Sequence, residues 1–117
     1  MANLKMAFWN SNGLQQRVLE IKTFVYKNNI DILFVSETHF ATKSYIKIPY
    51  YTVYNSNHPS GKAHGGSAII IKIAIKHHLY SKFNQEYIQA TAITVQTDCS
   101  AFQVSAMYAP PRHKMGT

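Results

Sequence analysis

Glu37 is the one acidic residue in the chain whose position suits metal or acid–base chemistry. It follows Ile32–Val35, an unbroken apolar run that is typical of a strand buried on both faces. A carboxylate at the end of such a strand is held rigidly at the rim of the sheet, where it can bind a metal ion. The alternative is that Glu37 only marks the point where the strand reaches water. The other four acids are predicted on a helix face, at a strand start or in loops: Glu20, Asp31, Glu86 and Asp98.

The ligand types in the sequence favour one class of metal ion. Mg²⁺ binds one or two carboxylates and keeps several water molecules, so a single glutamate is compatible with it and is weak for Ca²⁺. None of the six histidines has a second histidine or a cysteine at zinc-site spacing. The sequence also lacks a glycine-rich phosphate loop of the P-loop or dinucleotide type.

Three further polar residues are placed to assist the glutamate. Asn10 closes the first predicted strand as Glu37 closes the second, so parallel pairing of these strands brings both side chains to one end of the sheet. His39 lies two residues after Glu37, where it could reach a phosphate. Tyr108 ends the last predicted strand and could offer its hydroxyl to the same phosphate, although most tyrosines at strand ends pack on the core. For Asn10 and Asn12, the alternative is turn formation by short polar side chains.

Hydrophobic periodicity predicts the elements that position these residues. Leu4–Trp9 alternates as a strand does, and apolar residues from Leu14 to Val25 then fall on one face of a helix. Ile30 begins the next strand, which completes a βαβ unit with parallel strands. The predicted class is α+β, with a polar loop at Asn55–Gly66. Later strands are predicted at Tyr50–Tyr54, Ser67–Ile73, Tyr87–Gln96 and Ala101–Tyr108.

The charge of the chain indicates a polyanionic partner. The 117 residues suit one domain at most, and their 46% apolar content is enough for a core. Twelve Lys and Arg against five Asp and Glu give a net charge of +7, so DNA or RNA is the first partner to consider. The candidate nucleic-acid contacts are Asn12, Lys43, Lys62 and Arg112. The alternative is a basic protein without such a partner.

The remaining sequence features bear on location. Cys99 is the single cysteine, so an intrachain disulfide is impossible and a reducing compartment is expected. The N-terminus has no apolar core of a signal peptide, and no apolar run approaches the ~20 residues that span a bilayer. We therefore expect an intracellular protein that has no membrane partner.

Four segments in a fixed order carry a family resemblance. They are WNSNGL at 9–14, IDILFVSETH at 30–39, GGSAIIIK at 65–72 and SAMYAPP at 105–111. This set resembles the apurinic/apyrimidinic-type endonuclease domain of non-LTR retrotransposons, the Jockey-like elements in particular, within the exonuclease-endonuclease-phosphatase superfamily. The resemblance covers essentially the whole chain.

The resemblance implies a role for each candidate residue. Glu37 matches the metal-binding glutamate, which would take Mg²⁺ or Mn²⁺. Asn10 matches the active-site asparagine, and Tyr108 matches the tyrosine that approaches the scissile phosphate. Asn12 stands where repair-enzyme relatives often have aspartate, and His39 stands where some have lysine. The implied reaction is metal-assisted hydrolysis of a DNA phosphodiester, which nicks nuclear target DNA for a reverse transcriptase domain of the same polyprotein.

Two motifs of that family are absent from the sequence. These are G-D-x-N, whose aspartate activates water, and S-D-H. We therefore expect residues 1–117 to form the N-terminal half of one domain, a truncated two-sheet β-sandwich flanked by helices. This half would supply one sheet, leave an apolar face open, and be marginally stable and inactive alone. Two alternatives remain: a non-catalytic module that binds nucleic acid, and a phosphatase for a small or lipid phosphate.

Overall fold

A computed structural model describes residues 3–110 of the chain, and Arg112 lies outside them. No helix in this range is long and apolar enough to cross a membrane. One helix and seven strands are described, with a 3-10 turn at Gln15–Arg17 before the helix. They are α1 (Val18–Lys27), β1 (Met6–Asn10), β2 (Ile32–Ser36), β3 (Tyr51–Ser56), β4 (Ser67–Lys72), β5 (His77–Gln85), β6 (Ile88–Gln96) and β7 (Ala101–Tyr108).

The first sheet has four strands in the order β1-β2-β4-β3. β1 and β2 are parallel, with Met6 beside Ile32 and Asn10 beside Ser36, which confirms the βαβ unit. β4 is antiparallel to both of its neighbours, β2 and β3. Every residue of Ile32–Val35 is buried, as the unbroken apolar run predicts. The predicted loop at Asn55–Gly66 starts two residues later than expected, because β3 continues through Ser56.

Successive residues of the central strands point into two different apolar layers. Leu33, Val35 and Ile70 pack with Ile21 and Val25 of α1. The alternate residues of the same strands form the layer between the two sheets, together with side chains of β6 and β7. This second layer contains Ile32, Phe34, Ile69, Ile71, Ile93, Val95 and Ala106. The helix, the first sheet and the second sheet are therefore stacked in that order.

The second sheet has three antiparallel strands in the order β5-β6-β7. The expectation that the chain supplies a single sheet is therefore wrong. The missing element was β5, whose sequence HHLYSKFNQ shows no apolar alternation and whose residues after His77 are all exposed. This strand is defined by its pairing with β6, which local sequence does not reveal. The two-sheet architecture itself agrees with the predicted sandwich.

The second sheet covers only part of the first. Met6 and Phe8 of β1 are in register with Ile32 and Phe34 and so lie on the face toward the second sheet, yet they are 46% and 78% exposed. The Phe8 ring stacks on Phe34 with its centroid 4.7 Å away. An apolar face is therefore open at β1, as expected.

Buried hydroxyl groups join the two sheets at one end. Thr91 of β6 donates to the Ser56 Oγ atom at 2.8 Å and lies 3.1 Å from the Ser67 Oγ atom. Ser56 in turn donates to the carbonyl of Ala90. Ser67 is paired with Ser36, the last residue of β2. These hydrogen bonds therefore join the two sheets close to Ser36, the residue that precedes Glu37.

Candidate active site

The ends of β1 and β2 bring Asn10 and Glu37 together, as parallel pairing predicts. Asn10 Nδ2 donates a hydrogen bond to Glu37 Oε2 at 2.7 Å. The other end of the same amide, Asn10 Oδ1, accepts from the backbone N–H of Asn12 at 3.2 Å. Asn12 has a φ of 46°, so the asparagine pair also forms the turn that was the alternative interpretation. The turn thus fixes the amide that holds the carboxylate.

The backbone around Glu37 has an unusual conformation. Glu37 and His39 have φ values of 57° and 54°, in the left-handed region that residues with a side chain rarely occupy. Such residues persist where the surrounding structure over-determines them. Here the N–H groups of Glu37 and His39 donate to the carbonyls of Gly66 and Gly65, each at 2.9 Å. From the other side, the Gly13 N–H donates to the Glu37 carbonyl at 2.8 Å.

The two carboxylate oxygens of Glu37 face different partners. Oε2 accepts from Asn10, and Oε1 lies 3.5 Å from His39 Nε2. The Glu37 side chain nevertheless keeps 26% of its surface accessible. The carboxylate is oriented from both sides while its accessible part remains available to a cation.

Tyr108 reaches the same rim from the second sheet. Burial raises the pKa of Tyr108, and the negative charge of Glu37 raises this pKa further. A tyrosine phenol is protonated at neutral pH even at its ordinary pKa, so this hydroxyl can donate a hydrogen bond. Its ring also approaches Gly65, where an added Cβ atom would lie 3.4 Å from Cε2. The structure thus brings together Asn10, Glu37, His39 and Tyr108.

The candidate basic contacts lie on two neighbouring loops. Lys43 and Lys62 are both exposed. Their loops are joined where the Thr42 N–H donates to the Gly61 carbonyl at 3.2 Å. Lys43 follows the Glu37–His39 segment and Lys62 precedes Gly65, so both loops adjoin the rim in sequence. The third candidate, Arg112, lies outside the described residues.

The Lys62 loop is braced by two histidines. Ser60 Oγ lies 2.9 Å from His58 Nδ1 and 3.2 Å from His64 Nε2. The two imidazole rings are close, with centroids 3.9 Å apart. This arrangement gives a polar surface loop a defined shape.

Sequence reasoning missed several residues that support the rim. Ser11 is buried and its Oγ atom donates to the Glu37 carbonyl at 2.8 Å. The Thr38 hydroxyl is buried without a hydrogen-bond partner among the described residues. Gln89 is buried on β6 and accepts from the Gly66 N–H. In the sequence, the Gly65–Gly66 pair was the only local sign of an unusual backbone near the rim, and both glycines have positive φ values. Nothing in the local sequence marks Ser11, Thr38 or Gln89 as residues that support the rim.

The donor set at the rim determines which metal it suits. Within residues 3–110, no group of three or more His, Cys, Asp or Glu side chains converges on one point. A structural zinc site needs four such ligands. A single oriented carboxylate with accessible surface fits Mg²⁺ or Mn²⁺, which complete their coordination with water and phosphate oxygens.

Comparison with known proteins gives a family match and several relatives. The model of the Endonuclease/Exonuclease/phosphatase family matches residues 7–113. The chain is 33% identical over 111 residues to the RNA-directed DNA polymerase from mobile element jockey of Drosophila melanogaster, covering 95% of this chain and 12% of that protein. It is 32% identical over 113 residues to the probable RNA-directed DNA polymerase from transposon X-element of the same organism, covering 96% of this chain and 12% of that protein. The chain therefore spans about an eighth of the length of these relatives.

Solved structures share the fold. The AP endonuclease LMAP from Leishmania major superposes with a TM-score of 0.68 at 15% identity, over 90% of this chain and 40% of that one. A 3' phosphatase from Neisseria, bound to a product DNA hairpin, superposes with a TM-score of 0.56 at 18% identity, over 85% and 39%. The two-sheet arrangement is thus that of these nucleic-acid enzymes, over about two fifths of their length.

Proposed function

The chain belongs to the Endonuclease/Exonuclease/phosphatase family, and from this premise we propose that it contributes the Glu37 rim of a Mg²⁺-dependent DNA endonuclease. The observation that carries the proposal is the Asn10–Glu37 hydrogen bond of 2.7 Å at the ends of two parallel strands. Around it, His39 and Tyr108 provide two further polar groups. The reaction is hydrolysis of a phosphodiester, which leaves a nick in the target DNA.

Glu37 is the residue that would hold the cation. Its side chain is charged, oriented and partly accessible, as a Mg²⁺ or Mn²⁺ ligand must be. The bound ion supplies Lewis-acid stabilisation of charge on the phosphate. Asn10 fixes the carboxylate in one orientation before the ion arrives, so less ordering remains to be done on binding.

The other residues of the rim act on the phosphate and the DNA backbone. The Tyr108 hydroxyl, which is protonated at neutral pH, would donate to a phosphate oxygen. His39 is close enough to Glu37 to contact a phosphate at the same point. Lys43, Lys62 and Asn12 are exposed and would bind the flanking backbone. Arg112 belongs to the same proposed set.

The relatives suggest the biological setting. They are RNA-directed DNA polymerases of mobile elements, and each is much longer than the matched segment. We propose that residues 1–117 are part of one endonuclease domain and that a reverse transcriptase domain belongs to the same polyprotein. The partner of the endonuclease domain is then target DNA in the nucleus, where a nick starts retrotransposition.

We further propose that the 117-residue chain binds metal and DNA but does not cleave by itself. Hydrolysis needs a group that activates water. The resemblance assigns that role to the aspartate of a G-D-x-N motif, which this sequence lacks along with S-D-H. Measurable Mg²⁺-dependent nicking of supercoiled plasmid by the pure chain would contradict this part of the proposal.

Metal binding by Glu37 is the first test. Titration of the chain with Mn²⁺, followed by electron paramagnetic resonance, should show one site that Glu37→Gln weakens about tenfold or more, because a neutral amide replaces the charged ligand. Asp98→Asn is the matched control, since it removes one negative charge from an exposed turn. Equal Mn²⁺ affinity in wild type and Glu37→Gln would refute the metal site.

A non-catalytic nucleic-acid module is the second candidate, and the net charge of +7 is the observation that favours it. Both candidates predict that duplex DNA binding weakens as the salt concentration rises, because binding releases counterions from the DNA and this release is less favourable at high salt. The two candidates differ in the predicted effect of Mg²⁺ on DNA affinity. Affinity measured by fluorescence anisotropy should rise with Mg²⁺ and depend on Glu37 if the rim binds a metal and a phosphate. Affinity that ignores both EDTA and Glu37→Gln would instead support the non-catalytic module.

A further inference from the structure

Gln89 is a buried polar residue whose two amide ends are both in use. It lies on β6 with a fully covered side chain, on the face directed toward the first sheet. Its Oε1 atom accepts from the Gly66 N–H at 2.8 Å, and its Nε2 atom donates to the Gln85 carbonyl at 2.7 Å. A buried side-chain amide that makes hydrogen bonds at both ends is held in one position.

Gly66 connects this amide to the Glu37 segment. While the Gly66 N–H donates to Gln89, the Gly66 carbonyl accepts from the N–H groups of Glu37 at 2.9 Å and Thr38 at 3.4 Å. The carbonyl of Gly65 accepts from the N–H of His39. Two peptide groups therefore stand between the Gln89 side chain and the two residues with left-handed backbone.

The fit between Gln89 and the glycines is close. A Cβ atom at Gly65 would lie 2.5 Å from Gln89 Oε1, so only glycine leaves room for the amide. Gln89 is also paired in register with Tyr108 on β7. The same amide thus touches the support of Glu37 and neighbours the strand position of Tyr108.

We infer that Gln89 is a positioning residue, which sets the location of the Glu37 carboxylate on the first sheet from the second sheet through Gly65 and Gly66. The inference rests on the proposed function, in that Glu37 is taken as the metal ligand. Removal of the Gln89 acceptor leaves the buried Gly66 N–H without a partner. The glycine pair can then shift, and the backbone of Glu37 and His39 loses the surroundings that hold its strained conformation.

Amide hydrogen exchange tests the connection without any metal. In Gln89→Met, which keeps the length of the side chain and removes the acceptor, the Glu37 and His39 amides should exchange about tenfold faster than in wild type. Thr91→Val is the matched control, because Thr91 is equally buried on the same face of β6 but bonds to Ser56 and Ser67. It should leave these two amides within about twofold of wild type, after correction for global stability.

Mn²⁺ affinity tests the consequence for the site. Gln89→Met should weaken binding about fivefold to tenfold, Thr91→Val should leave it unchanged, and Gln89→Glu, which keeps an acceptor for Gly66, should restore part of the loss. If Gln89→Met does not fold, Gln89→Ala, which also removes the acceptor, takes its place in both measurements. Equal effects of the Gln89 and Thr91 variants on both readouts would overturn the inference.

The two measurements separate this inference from the proposed function. If Gln89→Met accelerates exchange at Glu37 while Glu37→Gln has no effect on Mn²⁺ binding, the positioning of the segment stands and the metal site fails. If Glu37→Gln abolishes Mn²⁺ binding while Gln89→Met changes neither exchange nor affinity, the metal site stands and the positioning role fails.

Discussion

Strands β2 and β5 belong to the same chain, but different interactions form them. β2 is paired on both sides, and its residues Ile32–Val35 are buried between the helix and the second sheet. Among the described residues, β5 is an edge strand that pairs only with β6, and its residues after His77 are exposed. Burial of apolar side chains stabilises the first, whereas backbone hydrogen bonds account for most of the second.

This difference explains why the rim follows β2. Glu37 and His39 keep a left-handed backbone that costs about 1–3 kcal/mol per residue and needs rigid surroundings. Those surroundings are the hydrogen bonds from the turn at Gly13 on one side and the Gly65–Gly66 pair on the other. Within the part of the chain that the structure describes, no residue of β5 has a left-handed backbone.

The largest expected effect comes from the same substitution in the two strands. Leu33→Ala in β2 should lower the free energy of unfolding by about 2–5 kcal/mol, because a side chain that is 1% exposed leaves a cavity. Leu79→Ala in β5 should cost less than about 1 kcal/mol, because this side chain is already 40% exposed. Urea unfolding of both variants provides the measurement. Similar losses would show that β5 is covered in solution.

The same contrast explains which parts of the fold could be predicted from the sequence. β2 was predictable because four consecutive apolar residues carry the information locally. β5 was not, because its residues satisfy no period and its existence depends on register with β6. The prediction of a single sheet was wrong for the same reason. Local pattern identifies strands that bury apolar side chains, whereas an exposed strand such as β5 and the assignment of strands to sheets depend on nonlocal pairing.

A smaller effect is expected from two buried threonines. Thr91 Oγ1 bonds to Ser56 and Ser67, so Thr91→Val should cost about 1–2 kcal/mol of unfolding free energy. Thr38 Oγ1 has no partner among the described residues, so Thr38→Val should be neutral or stabilise by up to about 1 kcal/mol. Thermal unfolding of the pair provides the test. A loss in Thr38→Val as large as that in Thr91→Val would indicate a ligand or water on the Thr38 hydroxyl.

The rim shows a similar division between local and nonlocal information. The proximity of Asn10 and Glu37 was predictable, because parallel neighbours end at the same edge. The left-handed backbone at Glu37 and the contact from Gln89 to Gly66 were not. Gln89 is 23 residues from Gly66 in sequence and lies on the other sheet, and its surroundings follow from sheet packing alone.

The smallest effect is a loss of stability at alkaline pH. Burial raises the pKa of Tyr51, and Asp31 and Tyr26 raise it further; burial and then Glu37 raise that of Tyr108. A raised folded-state pKa means that the folded chain binds the phenol proton more tightly than the unfolded chain does. This contribution is fully present below the unfolded value of 10.0 and is lost as the pH rises through the folded values.

Unfolding midpoints measured from pH 8 to pH 11 should therefore fall at the upper end. Tyr51→Phe should flatten this fall more than Tyr108→Phe, because Tyr51 is buried in the first sheet and donates to the Ile30 carbonyl, whereas Tyr108 at the rim is partly exposed. Tyr80→Phe in β5 is the control, since that side chain is 59% exposed. An equal flattening by Tyr80→Phe would show that the exposed strand is as well packed as the first sheet, and would remove the contrast between β2 and β5.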